Sequence, residues 1–484
     1  MARRATIVGS GPNGLAAAVA LARAGYAVRV LEAAETIGGG TRTAELTLPG
    51  FRHDVGSAVH PAALSSPFFR AAGVHERVDW IIPDASFAHP LDGGRAAIAW
   101  RDLGRTVEEL GADGRAWRAV LGPLNDGLRD VQETVGGPLL RLPPHPFMAA
   151  RFGARMLQLG TRLGDRVFRT EAGAALLAGV LAHANTRLPS PAAAAAALLL
   201  AAHTHSTGWG FPRGGAQAIA DALSSDLRAH GGEIETGVQV RTLAGLDVGD
   251  RDAGDLLLLD TSPRLAATHP DVPPRYARAL RRYRYGPGAA KLDLALDGPV
   301  PWTNPDLSLA PTVHLGGSRA EIVAAENAVA AGRIPARPYV LAVQPSVLDE
   351  TRAPSGKAVL WAYMHVPRDS PFDPTEAIIA QVERFAPGVR DRILAAHVTT
   401  AADREALNPA EVGGDILGGA FSLVQAVRRP VASPAPWRTP MRGVYLASAA
   451  TPPGPGVSGM PGWWAARQAL RDSTGVRIEL DDLF

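Results

Sequence analysis

The stretch Ala5-Thr-Ile-Val-Gly9-Ser-Gly11-Pro-Asn-Gly14 decides the fold of this chain. A short apolar strand leads into a GxGxxG turn, and a helix rich in alanine and leucine follows at once. This order predicts a βαβ unit that binds a dinucleotide. Gly9 permits the tight turn, Gly11 lets the backbone approach a pyrophosphate, and Gly14 lets helix and strand pack closely. The N-terminus of the helix then offers free N–H groups to the phosphates.

A second apolar strand, from Tyr26 to Leu31, ends on Glu32. An acidic residue at this place in the fingerprint accepts hydrogen bonds from the ribose diol of the nucleotide. A GxGxxG motif alone is weak, because glycine-rich turns are common. Since strand, turn, helix, strand and terminal acid occur here together, we predict a Rossmann-type nucleotide-binding domain.

A second glycine cluster follows, Gly38-Gly39-Gly40-Thr41-Arg42. It suits a further approach of backbone to the same pyrophosphate, with Arg42 supplying positive charge. This cluster favours FAD over NAD as the nucleotide. The position of this cluster in the sequence also allows the alternative that it is a surface loop in which Arg42 is solvated.

The composition sets the broad class of the protein. A chain of 484 residues is long enough for two or three domains, and a net charge of +2 without a basic run indicates no nucleic-acid partner. The absence of cysteine excludes disulfides, thiolate metal sites and a cysteinyl-linked flavin. The histidines are scattered without a ligand pattern, so we expect no metal site.

The longest apolar run, Ala192 to Ala202, is far shorter than the roughly 20 residues of a membrane span. Ser190-Pro191 before it predicts the start of a helix. Nothing in the first residues resembles a signal peptide. We therefore expect a cytoplasmic protein without a transmembrane segment, and peripheral contact with a membrane stays open.

Hydrophobic periodicity predicts an α/β protein whose nucleotide-binding domain is discontinuous. We expect residues 65–205 to be mostly helical, and further helices over 216–230, 375–396 and from about 461. The expected strands cover 233–240, 255–260 and 444–448, with half-buried strands at 291–297 and 358–365. The predicted FAD-binding domain comprises residues 1–65, 206–265 and 425–484. An α+β substrate domain, residues 66–205 and 266–424, is inserted into it.

The late strand runs into a proline- and glycine-rich loop that contains Gly456 and Gly459, and a helix starts near Pro461. We expect the loop backbone to approach a ligand, with the glycines free of a Cβ that would hold it away. If the ligand is the pyrimidine edge of a flavin, the helix dipole stabilises negative charge on the reduced ring. A plain surface loop is the alternative.

Several motifs together resemble the phytoene-desaturase-like FAD-dependent oxidoreductases, above all the branch named pyridine nucleotide-disulphide oxidoreductase domain-containing protein 2. The motifs are Phe51-Arg-His-Asp-Val-Gly-Ser-Ala-Val-His-Pro61, Phe211-Pro-Arg-Gly-Gly215, Leu259-Asp-Thr-Ser-Pro263, Lys291-Leu-Asp-Leu-Ala-Leu-Asp297, Trp361-Ala-Tyr-Met-His365 and the tail. The resemblance implies an amine-oxidase/phytoene-desaturase-like fold with noncovalent FAD. Disulfide chemistry is excluded because the chain has no cysteine.

We predict that the FAD is held by the glycine-rich loops, the acid after the second strand and the tail. The predicted cofactor-binding residues are Gly9, Gly11, Pro12, Asn13, Gly14, Glu32, Gly39, Gly40, Thr41, Arg42, Val240, Ser448, Gly456, Val457 and Met460.

The resemblance implies that a hydride passes from a hydrophobic organic substrate to flavin N5, as in a dehydrogenase or desaturase. His60, Tyr363 and His365 lie in the family motifs and are candidates for the base that takes the accompanying proton. The electron acceptor stays open, with oxygen or a quinone as candidates. The alternatives are an amine oxidase, a flavin-bound isomerase without net redox change, and a non-catalytic FAD-binding protein. A single nucleotide fingerprint argues against an NADPH-dependent monooxygenase.

Overall fold

The computed structural model describes residues 3–246, 249–250 and 253–484. Numbered in chain order, its strands are β1 (Arg4–Val8), β2 (Ala27–Leu31), β3 (Thr43–Ala44), β4 (His53–Asp54), β5 (Trp80–Ile81), β6 (Ala85–Leu91), β7 (Arg95–Trp100), β8 (Phe211–Pro212), β9 (Glu233–Glu235), β10 (Leu256–Leu259), β11 (Gly288–Leu296), β12 (Thr312–Leu315), β13 (Val340–Val343), β14 (Ala358–Val366), β15 (Ile393–Thr399) and β16 (Val444–Leu446).

The α-helices are α1 (Pro12–Arg23), α2 (Pro61–Leu64), α3 (Pro67–Ala71), α4 (Val74–Arg77), α5 (Leu103–Glu109), α6 (Gly114–Asp126), α7 (Leu128–Val135), α8 (Pro146–Leu159), α9 (Glu171–Ala182), α10 (Pro191–Thr204), α11 (Gln217–Ala229), α12 (Pro263–Ala266), α13 (Pro274–Arg281), α14 (Arg319–Ala330), α15 (Thr375–Glu383), α16 (Ala401–Leu407), α17 (Leu423–Val427) and α18 (Met460–Thr474). None of these helices, nor any other in the described part of the chain, is both long and apolar enough to cross a bilayer.

A five-stranded sheet in the order β16-β10-β1-β2-β9 carries the dinucleotide fingerprint. All of its strand pairs are parallel, and α1, α11 and α18 contribute to the apolar core against it. The predicted buried strand at 255–260 is confirmed as β10, whose four leucines are all buried. The predicted strand over 233–240 is too long, because β9 ends at Glu235 and Gly237 takes a φ of +73°. Val240 therefore lies in a loop and not in a strand.

The strands of this sheet come from residues 4–31, 233–259 and 444–446, so the sheet is discontinuous in sequence as expected. Phe68, Phe69 and Val74, which follow the predicted boundary at residue 65, pack into the core of this sheet. The exact domain limits stay a prediction.

A second sheet has seven strands in the order β15-β11-β14-β13-β12-β6-β7. Its pairs are antiparallel except for β12 with β6. Every residue of β11 and of β14 is buried, so the prediction of half-buried strands is wrong. Separate apolar cores cover the two faces: Trp361 and Tyr363 belong to one, and Leu360 and Ala362 to the other.

Two helical predictions also need correction. Residues 65–205 contain the hairpin β6–β7, which periodicity missed because β6 is buried on both faces and does not alternate. The helix expected over 375–396 ends at Glu383, since the Pro387-Gly388 pair cannot continue it, and residues 393–399 form β15 instead. The helix after Ser190 is confirmed as α10, where the Ser190 hydroxyl accepts a hydrogen bond from the N–H of Ala193.

Candidate active site

The first glycine-rich turn joins β1 to α1 at the carboxyl edge of the parallel sheet. Gly9 has a φ of +99°, a conformation that side chains other than glycine rarely adopt. A Cβ on Gly14 would lie 2.1 Å from the carbonyl oxygen of Gly9, so the predicted close packing of helix against strand is confirmed. Gly11 is the N-cap of α1 and Pro12 is its first residue, so the N-cap residue supplies no capping side chain.

Glu32 is buried and fixes this turn from the end of β2. Its Oε2 accepts hydrogen bonds from the N–H and the hydroxyl of Ser10 at 2.8 and 2.5 Å. Its Oε1 accepts one from the N–H of Ala34 at 2.9 Å. The carboxylate thus holds the loop between the first two glycines, and its contact with a ribose stays a prediction.

The second glycine cluster packs directly on the first. The N–H of Gly38 donates to the carbonyl of Ser10 at 3.0 Å, and a Cβ on Gly39 would lie 3.1 Å from the Cα of Gly11. Gly40 has open space where a Cβ would stand, and Thr41 is fully buried. The structure therefore brings the two glycine clusters together, as the sequence predicts.

Arg42 reaches away from these turns toward the end of α16. Its guanidinium donates to the carbonyl of Gly39 at 3.0 Å and to that of Leu407 at 3.0 Å. In this conformation Arg42 links the nucleotide loop to the segment after the large sheet. A contact between Arg42 and a phosphate stays a prediction.

Asp260, directly after β10, is a residue of this site that the sequence reasoning missed. Its Oδ2 accepts a hydrogen bond from the N–H of Gly14 at 2.7 Å, and a Cβ on Gly11 would lie 2.7 Å from the same oxygen. Burial raises the pKa of Asp260 to about 7, and the nearby carboxylate of Glu32 adds to the increase. The signal available in the sequence was an acid at the carboxyl end of a buried parallel strand, where ligands bind in such sheets.

The N-terminus of α18 lies against the N-terminus of α1. A Cβ on Gly462, in the first turn of α18, would lie 1.8 Å from the carbonyl oxygen of Asn13. Gly462 was not singled out in the sequence, and it permits the closest approach between these two helices. Two helix ends with positive dipoles are thus adjacent, a pattern suited to a long anionic ligand that contacts both.

The loop before α18 contains the predicted residues of the tail. The hydroxyl of Ser448 accepts from the N–H of Ala450 at 3.3 Å and shapes the turn after β16. A Cβ on Gly456 would lie 3.3 Å from the Cβ of Ala62, in α2. Val457 has a φ of +47°, which is unfavourable for a β-branched residue, and such strain occurs most often at functional sites.

Gly459 has a different role from the expected one. A Cβ there would lie 2.8 Å from a ring carbon of Phe69 and 2.9 Å from the Cβ of Ala16, and its φ is +67°. Packing within the protein therefore requires this glycine, and no ligand is needed to explain it. Met460 and Val457 are partly buried against the same apolar core.

Val240 lies on the other side of the parallel sheet. It packs, partly buried, against a small apolar core that includes Val8 and Leu259, the last residues of β1 and β10. The structure thus brings it to the carboxyl edge of the sheet, and its contact with a nucleotide stays a prediction.

One face of β14 presents Trp361, Tyr363 and His365 in alternation. Their rings contact one another, with centroids 5.3 Å apart for Trp361 and Tyr363 and 5.4 Å apart for Tyr363 and His365. Ala58, two residues before His60, packs in the same apolar core as Trp361 and Tyr363. Tyr363 and His365 are therefore adjacent on one face of β14, whereas the His60 ring contacts Ser57 and Trp80.

His365 forms a dyad with Glu326 of α14. The ring Nδ1 lies 2.8 and 3.0 Å from the two carboxylate oxygens, and both residues are buried. The other ring nitrogen, Nε2, is buried without a hydrogen-bond partner in the described residues. A histidine oriented by a carboxylate, with its second nitrogen free, is the arrangement of a general base.

Burial changes the pKa of the other two candidates. Burial lowers the pKa of His60 to about 4, so its imidazole is neutral at pH 7, and its Nε2 is buried without a partner in the described part of the chain. Burial also raises the pKa of Tyr363, which keeps its hydroxyl protonated. Tyr363 can therefore donate a hydrogen bond but cannot accept a proton at neutral pH.

A buried ion pair of Lys291 and Asp293 on β11 faces the same region and was not predicted. Lys291 stands opposite Tyr363 in the sheet, and its ammonium lies 5.7 Å from the centre of the Trp361 ring. Burial lowers the pKa of Lys291 while Asp293 opposes that change. His53 lies 3.6 Å from Asp293 on the far side of the pair. The sequence signal was a lysine inside an otherwise apolar strand.

The family model of flavin containing amine oxidoreductases matches residues 13–462. The chain belongs to this family, and it is an FAD-dependent oxidoreductase. Both the resemblance and the fold class expected from the sequence are thereby confirmed.

Individual relatives cover nearly the whole chain. The rat protein named pyridine nucleotide-disulfide oxidoreductase domain-containing protein 2 is 25% identical over 97% of this chain and 93% of its own length. The lycopene-forming phytoene desaturase of Pseudescherichia vulneris is 25% identical over 95% of this chain and 96% of its own. Putrescine oxidase bound to putrescine is similar in structure, with a TM-score of 0.59, 16% identity and coverage of 98% and 99% of the two chains. This last likeness shows the fold alone.

The residues present fit an FAD. The N-cap residues of α1 and α18 are glycines without a capping side chain, whereas α9, α10 and α14 are capped by Thr170, Ser190 and Ser318. Within the first three residues of each helix, Pro12 and Pro461 have no N–H, Asp260 accepts that of Gly14, and Ser458 accepts that of Met460. Asn13 and Gly462 are therefore the residues whose N–H groups can serve phosphate and flavin oxygens. The unpartnered Nε2 of His60 supports the same assignment, because a buried polar atom without a partner marks a place for a ligand or water.

Proposed function

We propose that the enzyme oxidises a hydrophobic, uncharged organic substrate as a dehydrogenase or desaturase. The observation that carries this proposal is the face of β14, where Trp361 and Tyr363 lie in a large apolar core. The buried carboxylates beside it are already paired, Asp293 with Lys291 and Glu326 with His365. The ammonium group of a charged amine would therefore find neither the Asp293 nor the Glu326 carboxylate free. These surroundings favour a neutral substrate.

The roles of the protein side chains follow from their partners. FAD held by the glycine turns would supply the acceptor for the hydride that leaves the substrate carbon. His365, held by Glu326 through Nδ1, receives the accompanying proton on its free Nε2. Trp361 and Tyr363 orient the substrate and exclude water, and the glycine turns with Glu32 hold the nucleotide.

Anaerobic reduction of the flavin tests this proposal. The FAD-loaded enzyme is mixed with a panel of neutral hydrophobic alcohols, polyenes and amines, and bleaching of the flavin absorbance is followed. We expect bleaching by a neutral apolar member of the panel. Bleaching by amines alone, with peroxide formed on admission of air, would establish an amine oxidase instead. Conversion of a substrate without any electron acceptor would establish a non-redox isomerase.

Replacement of His365 separates chemistry from binding. His365→Gln keeps a polar side chain of similar length but removes the base, and should slow bleaching about 100-fold or more with little change in substrate affinity. Glu326→Gln should slow bleaching less and shift its pH dependence, because the histidine then loses its anionic partner. Equal bleaching rates in wild type and His365→Gln would remove His365 from the mechanism.

A further inference from the structure

Large apolar side chains are exposed along one segment of the surface, residues 139–163. Leu142 and Phe147 are 92% and 91% exposed. The others in this segment are Leu139, Leu140, Leu157 and Leu163, each at least 44% exposed. Single exposed apolar residues are ordinary, but a group of them marks an interaction surface.

The exposed residues of α8 form one side of that helix. Phe147, Ala150, Arg151, Ala154 and Leu157 are exposed at intervals of three and four residues. The opposite side of α8, which includes Phe152 and Leu159, is buried in the core that it shares with α10. The outward side, hereafter the α8 face, is therefore apolar except for Arg151, and no part of the described chain covers it.

Positive charge surrounds the α8 face. Residues 139–169 contain six arginines and a single acid, Asp165. Asp165 is already paired with Arg319. Arg151, Arg162 and Arg166 are exposed, and no carboxylate in the described residues lies within 4 Å of them. The surface thus complements an anionic partner.

The acids of the neighbouring α7 do not cancel this charge. Arg129 and His145 hold the carboxylate of Glu133 at 2.8 and 2.7 Å, and His145 lies 3.7 Å from the carboxylate of Asp130. Those contacts lower the pKa of Glu133, so its charge is retained but locally compensated.

Two hydrogen bonds connect this surface to the active site. The indole N–H of Trp464, in the first turns of α18, donates to the carbonyl of Gly136 at 2.9 Å. The amide of Gln132 donates to the hydroxyl of Ser65, directly after α2, at 2.6 Å. The segment that leads to the exposed leucines is therefore fixed to the two helices that border the candidate site.

We propose that the α8 face docks on a lipid bilayer that contains anionic lipids. Leu142, Phe147 and Leu157 enter the boundary between headgroups and acyl chains, while Arg151 and Arg162 pair with lipid phosphates. An apolar helix side with basic neighbours and no acid is the pattern of a helix that lies in the interface plane. Docking would place the site close to apolar molecules dissolved in the membrane. The proposal goes beyond the oxidoreductase activity and does not depend on the substrate assigned above.

Cosedimentation of the FAD-loaded protein with vesicles tests the docking. One set of vesicles is phosphatidylcholine alone, and the other contains phosphatidylglycerol as well. We expect binding to the second set to be about tenfold stronger and to weaken as salt is added. The double variant Leu142→Asp/Phe147→Asp should lose about tenfold or more of this binding. Leu394→Asp/Val476→Asp, at positions 45% and 59% exposed elsewhere, is the matched control and should bind as wild type.

The charge requirement is tested by a second pair of variants. Arg151→Glu/Arg162→Glu should lose the preference for phosphatidylglycerol, whereas Arg282→Glu/Arg333→Glu, with the same charge change at other exposed sites, should keep it. All variants are compared at equal flavin content. Absence of vesicle binding in the wild type, or equal binding by all four variants, would overturn the proposal. So would a dimer in light scattering, without vesicles, that only Leu142→Asp/Phe147→Asp dissociates, because the face would then join two copies of the chain.

Discussion

Replacement of Asp260 by asparagine tests the electrostatics of the nucleotide turn. The carboxyl of Asp260 is buried beside the N-terminus of α1, where its Oδ2 accepts from the N–H of Gly14 at 2.7 Å. Asparagine has nearly the same shape, can accept the same hydrogen bond through Oδ1, and carries no charge at any pH. The variant therefore removes ionisation while it keeps the geometry.

The sign and size of the effect follow from the raised pKa. In the unfolded chain this carboxyl titrates near 3.8, and in the folded chain near 7. The folded state binds the extra proton between these values, so the stability of the wild type falls as pH rises from about 4 to about 7 and stays low above that. The difference corresponds to about 4 kcal/mol at pH above 7, as an upper value. Asp260→Asn should thus stabilise the apoprotein by up to that amount at pH 8.5 and change little near pH 4.

Urea unfolding of the apoprotein at both pH values measures this difference. Because variant and wild type share all other titrating groups, the contributions of those groups to the pH dependence of stability cancel in the comparison. Asp415→Asn is the matched control for the effect on FAD binding. Asp415 is also buried with a raised pKa, and it accepts hydrogen bonds from the N–H groups of Gly286 and Leu417, away from α1. The free energy of unfolding of Asp260→Asn is compared with that of the wild type at each pH. The same difference at pH 4 and at pH 8.5 would show that Asp260 ionises normally, and would refute the reasoning.

Calorimetric titration with FAD extends the test to the ligand. A pyrophosphate at the N-terminus of α1 adds negative charge near Asp260, so the affinity of the wild type should fall from pH 6 to pH 8.5. Asp260→Asn should bind FAD with nearly constant affinity over this range, whereas Asp415→Asn should follow the wild type. Parallel pH profiles for Asp260→Asn and wild type would place the phosphates away from Asp260.

Three further predictions concern single residues. Glu32→Ala should weaken FAD binding by about 1–3 kcal/mol in calorimetric titration, because the N–H groups of Ser10 and Ala34 lose their buried acceptor; unchanged affinity would make Glu32 a purely structural acid. Gly462→Ala should yield protein with little flavin, since its Cβ would lie 1.8 Å from the Asn13 carbonyl; a fully yellow variant with unchanged melting would contradict the contact between α1 and α18. His60 should stay neutral in the folded protein down to about pH 4, so NMR of its ring should show no titration near pH 6.5. Its contribution to stability should decrease as pH falls from about 6.5 to about 4, because only the unfolded chain binds the proton in that range.

Features that depend on neighbours in sequence could be predicted well. The turn at Gly9, the α1 helix, the buried β10 and the start of α18 all follow from local patterns of glycine, proline and apolar residues. The adjacency of the two glycine clusters could be inferred as well, because both would serve the same pyrophosphate.

Features that depend on distant partners could not be predicted. Local periodicity predicts a helix up to residue 396, across the first part of β15, because the partner strand β11 lies about 100 residues away and residues 393–399 do not alternate strongly. Asp260 matters because it accepts a hydrogen bond from Gly14, which belongs to α1. His365 matters because it is hydrogen-bonded to Glu326 of α14. Burial on both faces also removed the alternation that would have marked β6.

The contact of α1 with α18 has a consequence for the biosynthesis of the protein. Residues 12–23 leave the ribosome long before strand β16 and before residues 460–474, the helix that completes their surroundings. The last strand of the parallel sheet and the paired helix ends can therefore be added only after nearly all of the described chain has been translated. A nascent chain that stops before residue 444 should expose the apolar side of α1, retain no flavin and depend on chaperones. Flavin loading would in this way report that translation had passed α18.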